Sequence, residues 1–474
     1  MCFLEFFVNF GDDTLLEGVI VGDLFGRRQR LKVQSVIMKS LLFVGLSGAL
    51  AACGSSSASS STATTANSAA TSAQKVNLTF WSWVPGISAS VNLWNSTHPN
   101  IHVTLNETTS GAAGTYAKMF SALQAGNAPD LGQVEYPLLP NFEHVNGLVN
   151  LSQYGANSYK SDFVPWTWSQ ASLAGSVYAI PQDTGPMGLF YRADLFTKYG
   201  LTVPTTWAQY LADAQKLHQE NPNAYIAAFP ATDSGWFSGL AWQAGAKWFG
   251  IKGNSWTVNL SDPATIKVAN FWQQLINQGL VKVEPDFANG WYKDLSDGTL
   301  LTWPTAVWGE NTLVTNASST AGDWRVAPMP NWNPSSPSNG NWGGSTTVVF
   351  KDSKHPAQAA QFAEWLNTNQ ESITSLITKG GLYPADIQGQ HQAADNAPVA
   401  FYGNQNIWNV FRQNSSLVNT NFLWGPIMVT TETEMSDLFG KVTPGSTNTL
   451  AGAVAQTQSA TVAAMKAQGF SVAP

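Results

Sequence analysis

The sequence predicts an α/β fold. Segments whose apolar residues alternate take turns with segments whose apolar residues recur at i, i+3, i+4 and i+7. Caps, prolines and glycines stand where the helical segments should begin and end. The composition is that of a globular body, with 44% hydrophobic residues and 11% charged in 474, where soluble proteins carry about 25% charged. Alternating strands and helices imply parallel sheets with helices packed on them.

Taken in order, Val76, Leu78 and Phe80 alternate as a first strand, and Ile101, Val103 and Leu105 as a second. Tyr116, Met119, Phe120 and Leu123 share one helical face, which Gly126 stops. Residues Leu131 to Val134 make a short apolar strand. Trp207, Tyr210, Leu211 and Ala214 form a face behind the cap Thr205-Thr206. Val268, Phe271, Trp272 and Leu275 form another, opened by Asp262-Pro263 and closed by Gly279. Ala359, Phe362, Ala363 and Leu366 form a third, opened by Pro356. The Asn- and Pro-rich stretch 331–342 is a long loop, and no internal repeat is present.

Composition also excludes partners. Net charge is −7 with 23 Lys plus Arg, so there is no basic footprint for nucleic acid. No apolar run reaches the roughly 20 residues of a membrane span. The excess is in Trp, 20 residues, which suits a surface that meets neutral, hydroxyl-rich ligands.

The first 52 residues read as a leader. Arg27, Arg28, Arg30 and Lys32 precede Met38-Lys39 and the apolar run Leu41–Leu46. Small residues then lead to Leu50-Ala51-Ala52-Cys53, which resembles a bacterial lipobox. Asp12, Asp13, Glu17 and Asp23 are foreign to such a leader, so translation is expected to start at Met38 or just before the arginines. With Cys2 removed, Cys53 is the one cysteine left, lipidated, with no disulfide or thiolate metal site. Residues 53–75 are this anchor and a Ser/Ala/Thr tether. The tether holds a soluble body near a membrane.

Four segments of the body resemble the extracellular solute-binding proteins of bacterial ABC sugar importers, the group that includes the maltose-type binding proteins. They are Leu78–Trp83; Ala125–Asp130 running into Val134-Glu135-Tyr136; Tyr178–Met187 with Phe190–Phe196 and Val203–Trp207; and Ala327–Pro330 with Trp342–Ser345, the Phe362–Leu366 helix and Gly381–Ala385. Their order and spacing match from about 75 to 470. The low charge and the Trp excess depart from the pattern and leave the ligand open. The resemblance implies a two-lobed periplasmic-binding-protein-like fold, its chain crossing between lobes, with a central ligand cleft. Lobe one is expected at 75–184 plus 305–348 and lobe two at 185–304 plus 349–474. Crossings are placed near 181–187, 303–308 and 348–352. The implied activity is capture of a sugar or oligosaccharide by hinge closure and delivery to the permease of an ABC importer. The protein would be a non-catalytic monomer outside the cytoplasm, tethered to the membrane and needing no cofactor or metal.

In α/β sheets ligands bind beyond the carboxyl ends of strands. Sugars need flat apolar platforms for their C–H faces and paired polar groups for their hydroxyls. These two rules select Trp83, Glu135, Tyr136 and Asp183 at strand ends. Trp236 sits in an expected loop between Ser234-Gly235 and Gly239, and Trp308 and Glu310 at the second crossing. Trp342 comes with Gly343 and Gly344, whose missing side chains would admit a ligand to the backbone. The rival reading is a secreted polysaccharide-degrading enzyme using a carboxylate pair such as Glu135, Asp183 or Glu310 in a Trp-rich cleft. A surface carbohydrate-binding module is a third, but it needs neither two lobes nor a hinge. Nucleophile, phosphate-binding and zinc motifs are absent from the sequence, the six His have no metal spacing, and Asp294–Gly298 reads as a turn.

Overall fold

The computed structural model describes residues 75–473 apart from 396 and 397. The leader, Cys53 and the tether lie outside the described residues.

The first sheet has five strands in the order Ile101–Glu107, Val76–Ser82, Leu131–Glu135, Ser345–Val349, Ala179–Pro181. The first three run parallel; Ser345–Val349 runs against both of its neighbours. In the opening strand the even positions from Val76 to Ser82 are buried. That alternation packs Leu78 and Phe80 under Trp94 and Phe362. The helix Tyr116–Ala125 ends where Gly126 turns to φ +70°, a conformation that suits glycine.

The second sheet differs from the expected parallel order. Met187–Arg192 lies between Thr302–Ala306 and Trp324–Ala327, antiparallel to both. A parallel pair, Ala227–Phe229 with Val281–Val283, extends this sheet. The joining hydrogen bonds run from Leu301 N–H to Tyr225 O and from Thr302 N–H to Ile226 O. Helix Trp207–Glu220 carries a full capping box between Thr206 and Gln209. It packs Trp207 and Tyr210 against Trp272. Nine of the 20 Trp are fully buried, so much of the Trp excess builds core, mainly that of the second lobe. Among the described residues no helix is long and apolar enough to cross a membrane.

Sheet membership moves two of the expected crossings. Residues 302–306 and 324–327 stay with the second sheet, so the chain does not cross near 303–308. Helix Pro356–Thr368 buries its apolar face on the first sheet, and helix Gln370–Gly380 packs against that helix and against helix Ser88–Thr97, so the chain does not cross near 348–352. The lobe boundaries drawn at 305 and 349 are corrected accordingly. The passages are at 182–186, 341–344 and beyond 381. They lie side by side: Trp342 N–H donates to Gly185 O at 2.9 Å, Thr184 N–H to Tyr383 O at 2.8 Å, and Ala385 N–H to Gln182 O at 3.0 Å. A Cβ on Gly185 would stand 1.9 Å from Trp342 O, so only glycine lets these strands approach.

Candidate functional site

A cavity of about 540 Å³ opens between the lobes, within the range of small-molecule sites. Tyr116 and Glu135 line it from the first lobe, and Ser234, Val429 and Glu432 from the second. Glu135 ends its strand and faces Tyr116 across a reciprocal pair of bonds. The Tyr116 hydroxyl donates to Glu135 Oε2 at 2.8 Å, and Glu135 N–H donates to that hydroxyl at 3.0 Å. Trp83 stands edge-on to Tyr116, centroids 5.6 Å apart. Asp183 sits in the first hinge passage, where its Oδ1 accepts from Ser345 N–H at 2.7 Å.

The second lobe brings Asp233, Asp286 and Glu432 together from three distant segments. Asp233 caps helix Ser234–Gln243, its Oδ1 accepting from Trp236 N–H at 2.9 Å. Its neighbour Asp286 shares a carboxyl-to-carboxyl hydrogen bond with it, which needs a proton on one of the two. Beside them stands an aromatic rim. Trp308 and Trp342 meet edge to face at 4.5 Å, and Trp308 Nε1–H donates to Trp342 O at 3.0 Å. Phe287 lies 6.0 Å from Trp308 and 6.3 Å from Trp342. Gly235 ties rim to cavity, since a Cβ there would meet Trp342 Nε1 at 3.0 Å.

These carboxyls lean toward their protonated forms. Burial raises Glu135, and a hydrogen bond from Tyr116 only partly offsets it. Burial pushes Asp183 up to about 7, with the Glu135 charge adding to it. Burial and then the Asp233 charge push Asp286 up to about 8, and burial followed by Asp233 and Glu135 does the same for Glu432. The ion pairs among the described residues involve other acids, such as Asp194 with Arg192 and Asp294 with Lys282. The cleft is thus rich in carboxyls that, when protonated, can donate as well as accept.

The ten residues selected from sequence fall into three groups. Glu135 lines the cavity, while Trp83, Asp183, Trp308 and Trp342 stand around it. Tyr136, Gly343 and Gly344 serve the hinge. The Tyr136 hydroxyl donates to Asp183 O at 3.2 Å, and a Cβ on Gly344 would meet the same oxygen at 3.0 Å. A Cβ on Gly343 would meet Trp308 Nε1 at 3.2 Å, so these glycines admit protein groups. Trp236 and Glu310 lie apart. Trp236 is 1% exposed, in the first turn of a helix rather than a loop, and its Nε1–H donates to Pro304 O at 2.8 Å. Its ring is core, 4.7 Å from Trp272. Glu310 begins helix Gly309–Asn316, its backbone oxygen taken by the Tyr402 hydroxyl. Sequence reasoning missed Tyr116, Asp233, Asp286, Phe287 and Glu432. Only Asp233 carried a signal, as an acid just before a helix start.

A second hollow of about 390 Å³ lies between Val164, Trp166, Gln390 and Arg412. It holds no carboxylate and suits a hydroxyl-rich ligand less well.

Comparison with known proteins settles the family. Residues 81–372 match the bacterial extracellular solute-binding protein family. This chain belongs to it. Among the relatives of this solute-binding protein is an arabinooligosaccharide-binding protein of Halalkalibacterium halodurans, 24% identical over 319 residues, 65% of this chain and 71% of the relative. A lactose-binding protein of Rhizobium radiobacter is 23% identical over 373 residues, 72% of this chain and 82% of the relative. Among solved structures, the galacto-N-biose/lacto-N-biose I-binding protein of Bifidobacterium longum, in complex with lacto-N-biose, superposes with a TM-score of 0.76 at 29% identity. That match covers 84% of this chain and 99% of the other. The ABC transporter associated binding protein of B. animalis subsp. lactis, in complex with β-1,6-galactobiose, gives 0.71 at 29% identity over 85% and 100%. The solute-binding protein shares with them the two-lobed α/β architecture.

Proposed function

We propose that this solute-binding protein captures a neutral sugar or oligosaccharide outside the cytoplasm and delivers it to the membrane subunits of an ABC importer, without catalysis. The observation that carries the reading is the cavity between lobes, with carboxyls on both walls and indole rings beside it. Sugar hydroxyls exchange hydrogen bonds with the carboxyls, and C–H faces lie on the rings. A ligand that bridges both walls binds the closed form better than the open one and shifts the hinge toward it. The relatives' ligands support the sugar class. The lipobox-like Leu50–Cys53 supports a lipid anchor, two acyl chains being enough for stable attachment.

The test is a thermal-shift panel of mono- and oligosaccharides, followed by calorimetry, small-angle scattering and chromatography of the recovered sugar. The expected result is a bound sugar, a smaller radius of gyration and an unaltered ligand. Cleavage of the sugar would support the enzyme reading instead. Cys53→Ser is expected to move the protein from membranes to soluble fractions; a variant that stays bound would remove the anchor.

A further inference from the structure

Two unusual features coincide at one residue. Phe287 is 41% exposed, and among the described residues it is the only aromatic side chain so open to solvent. It is also the only bulky side chain with a left-handed backbone, at φ +57°; the other non-glycine cases are Asn146, Ala174 and Asn404. Asparagine tolerates that region, whereas for a phenylalanine it is an outlier. A buried ring can force such a conformation through its packing, but a ring this exposed has less to gain from doing so. Strain of this kind persists where the surrounding structure holds it for a use.

The surroundings show the use. Phe287 leans on Trp291, Trp303, Trp308 and Trp342 with centroids 5.5 to 6.3 Å away. The residue before it, Asp286, is a carboxyl side chain whose partner in the protein is another acid, Asp233. A flat apolar face and a carboxyl group side by side match one sugar ring, its C–H face on the ring and a hydroxyl on the carboxyl. Phe287 does not line the 540 Å³ cavity. It connects to the cavity through Trp342 and through Asp286 against Asp233. A ligand that touches Phe287 must therefore extend beyond the cavity.

We propose that Phe287 sets ligand length, stacking on the second ring of an oligosaccharide whose first ring fills the cavity. This rests on the carbohydrate reading of the cleft. The probes are β-1,6-galactobiose and lactose, each against galactose, and arabinobiose against arabinose, measured by calorimetry. For a disaccharide that binds the wild-type protein, Phe287→Ala is expected to weaken affinity roughly tenfold or more while the matching monosaccharide changes less than about twofold. Phe287→Tyr keeps the platform and is expected to stay within about threefold for both. Phe287→Gly relieves the backbone, so its unliganded melting temperature should exceed that of Phe287→Ala by roughly 2 °C, with the same loss of disaccharide affinity. Equal losses for mono- and disaccharide, or no loss, would overturn the length assignment and leave sugar binding intact. A wild-type protein that binds none of the probes overturns both readings together.

Discussion

The two walls of the cleft are built on different principles. On the first wall two acids are engaged by protein donors: Glu135 by the Tyr116 hydroxyl, Asp183 by the Ser345 amide. On the second wall acids face acids, Asp286 against Asp233 and Glu432 beside them, and a ring is held out in a strained loop. A satisfied wall loses structure when a member is removed. A wall of facing acids repels itself once ionised, so its members can go with less harm to the fold. The difference makes the second lobe the side whose substitutions separate binding from stability.

The comparison is broken or sharpened by four measurements, the largest effect first. Trp236→Ala should destabilise the protein by about 3–5 kcal/mol in denaturant unfolding, the usual cost of an emptied aromatic core position. Normal stability with lost sugar affinity would instead return Trp236 to the site. Trp342→Ala should cost about 2 kcal/mol of binding, over tenfold in Kd, because a half-buried rim ring is replaced by nothing. Unchanged calorimetric affinity in the folded variant would take Trp342 out of the rim's function. Tyr116→Phe should cost about 1–2 kcal/mol of stability and weaken sugar binding, since Glu135 loses both partners at once. Asp286→Asn should weaken binding without lowering the melting temperature; a marked fall would show that the second wall is as internally satisfied as the first.

A separate effect is on pH. Asp183, Asp286 and Glu432 have folded values of about 7, 8 and 8, against about 4 in an unfolded chain. Between those limits the native state binds more protons than the unfolded state. Stability is therefore fully present below about pH 4 for these groups and falls as pH rises through 7 to 8. The unliganded protein should melt at a higher temperature at pH 5.5 than at pH 8.5. Asp286→Asn should flatten that slope, and a melting temperature that rises toward pH 8.5 would contradict the protonated second wall.

How much of this was legible in the sequence depends on how local the signal is. The alternation of Val76, Leu78 and Phe80, the capping box at Thr206 and the stop at Gly126 are local, and each stands where expected. Lobe membership is not local. The order of elements does not say which sheet a strand joins, so Thr302–Ala306 was placed at a crossing it does not make. Trp236 was read as a loop residue because serine and glycine flank it; the Asp233 cap makes those same residues a helix start. Phe287, Asp286 and Glu432 left no trace, and Asp233 showed only as a helix cap, since backbone strain at a phenylalanine and the meeting of positions 233, 286 and 432 exist only after folding.

Strand Ser345–Val349 lies between Leu131–Glu135 and Ala179–Pro181, with the whole second sheet encoded in the interval. During synthesis the first sheet therefore waits, with a gap at its centre, for a segment made more than a hundred residues later. Until it arrives two strand edges stay open, and the contacts that close them are among the longest in sequence, which slows folding. For a chain that must pass a membrane before it folds, that delay is an advantage: it remains threadable while its last third is still being made. A chain ending at residue 340 should accordingly lack a closed first sheet and show no cooperative unfolding of that lobe, and a cooperative transition in that fragment would refute the dependence.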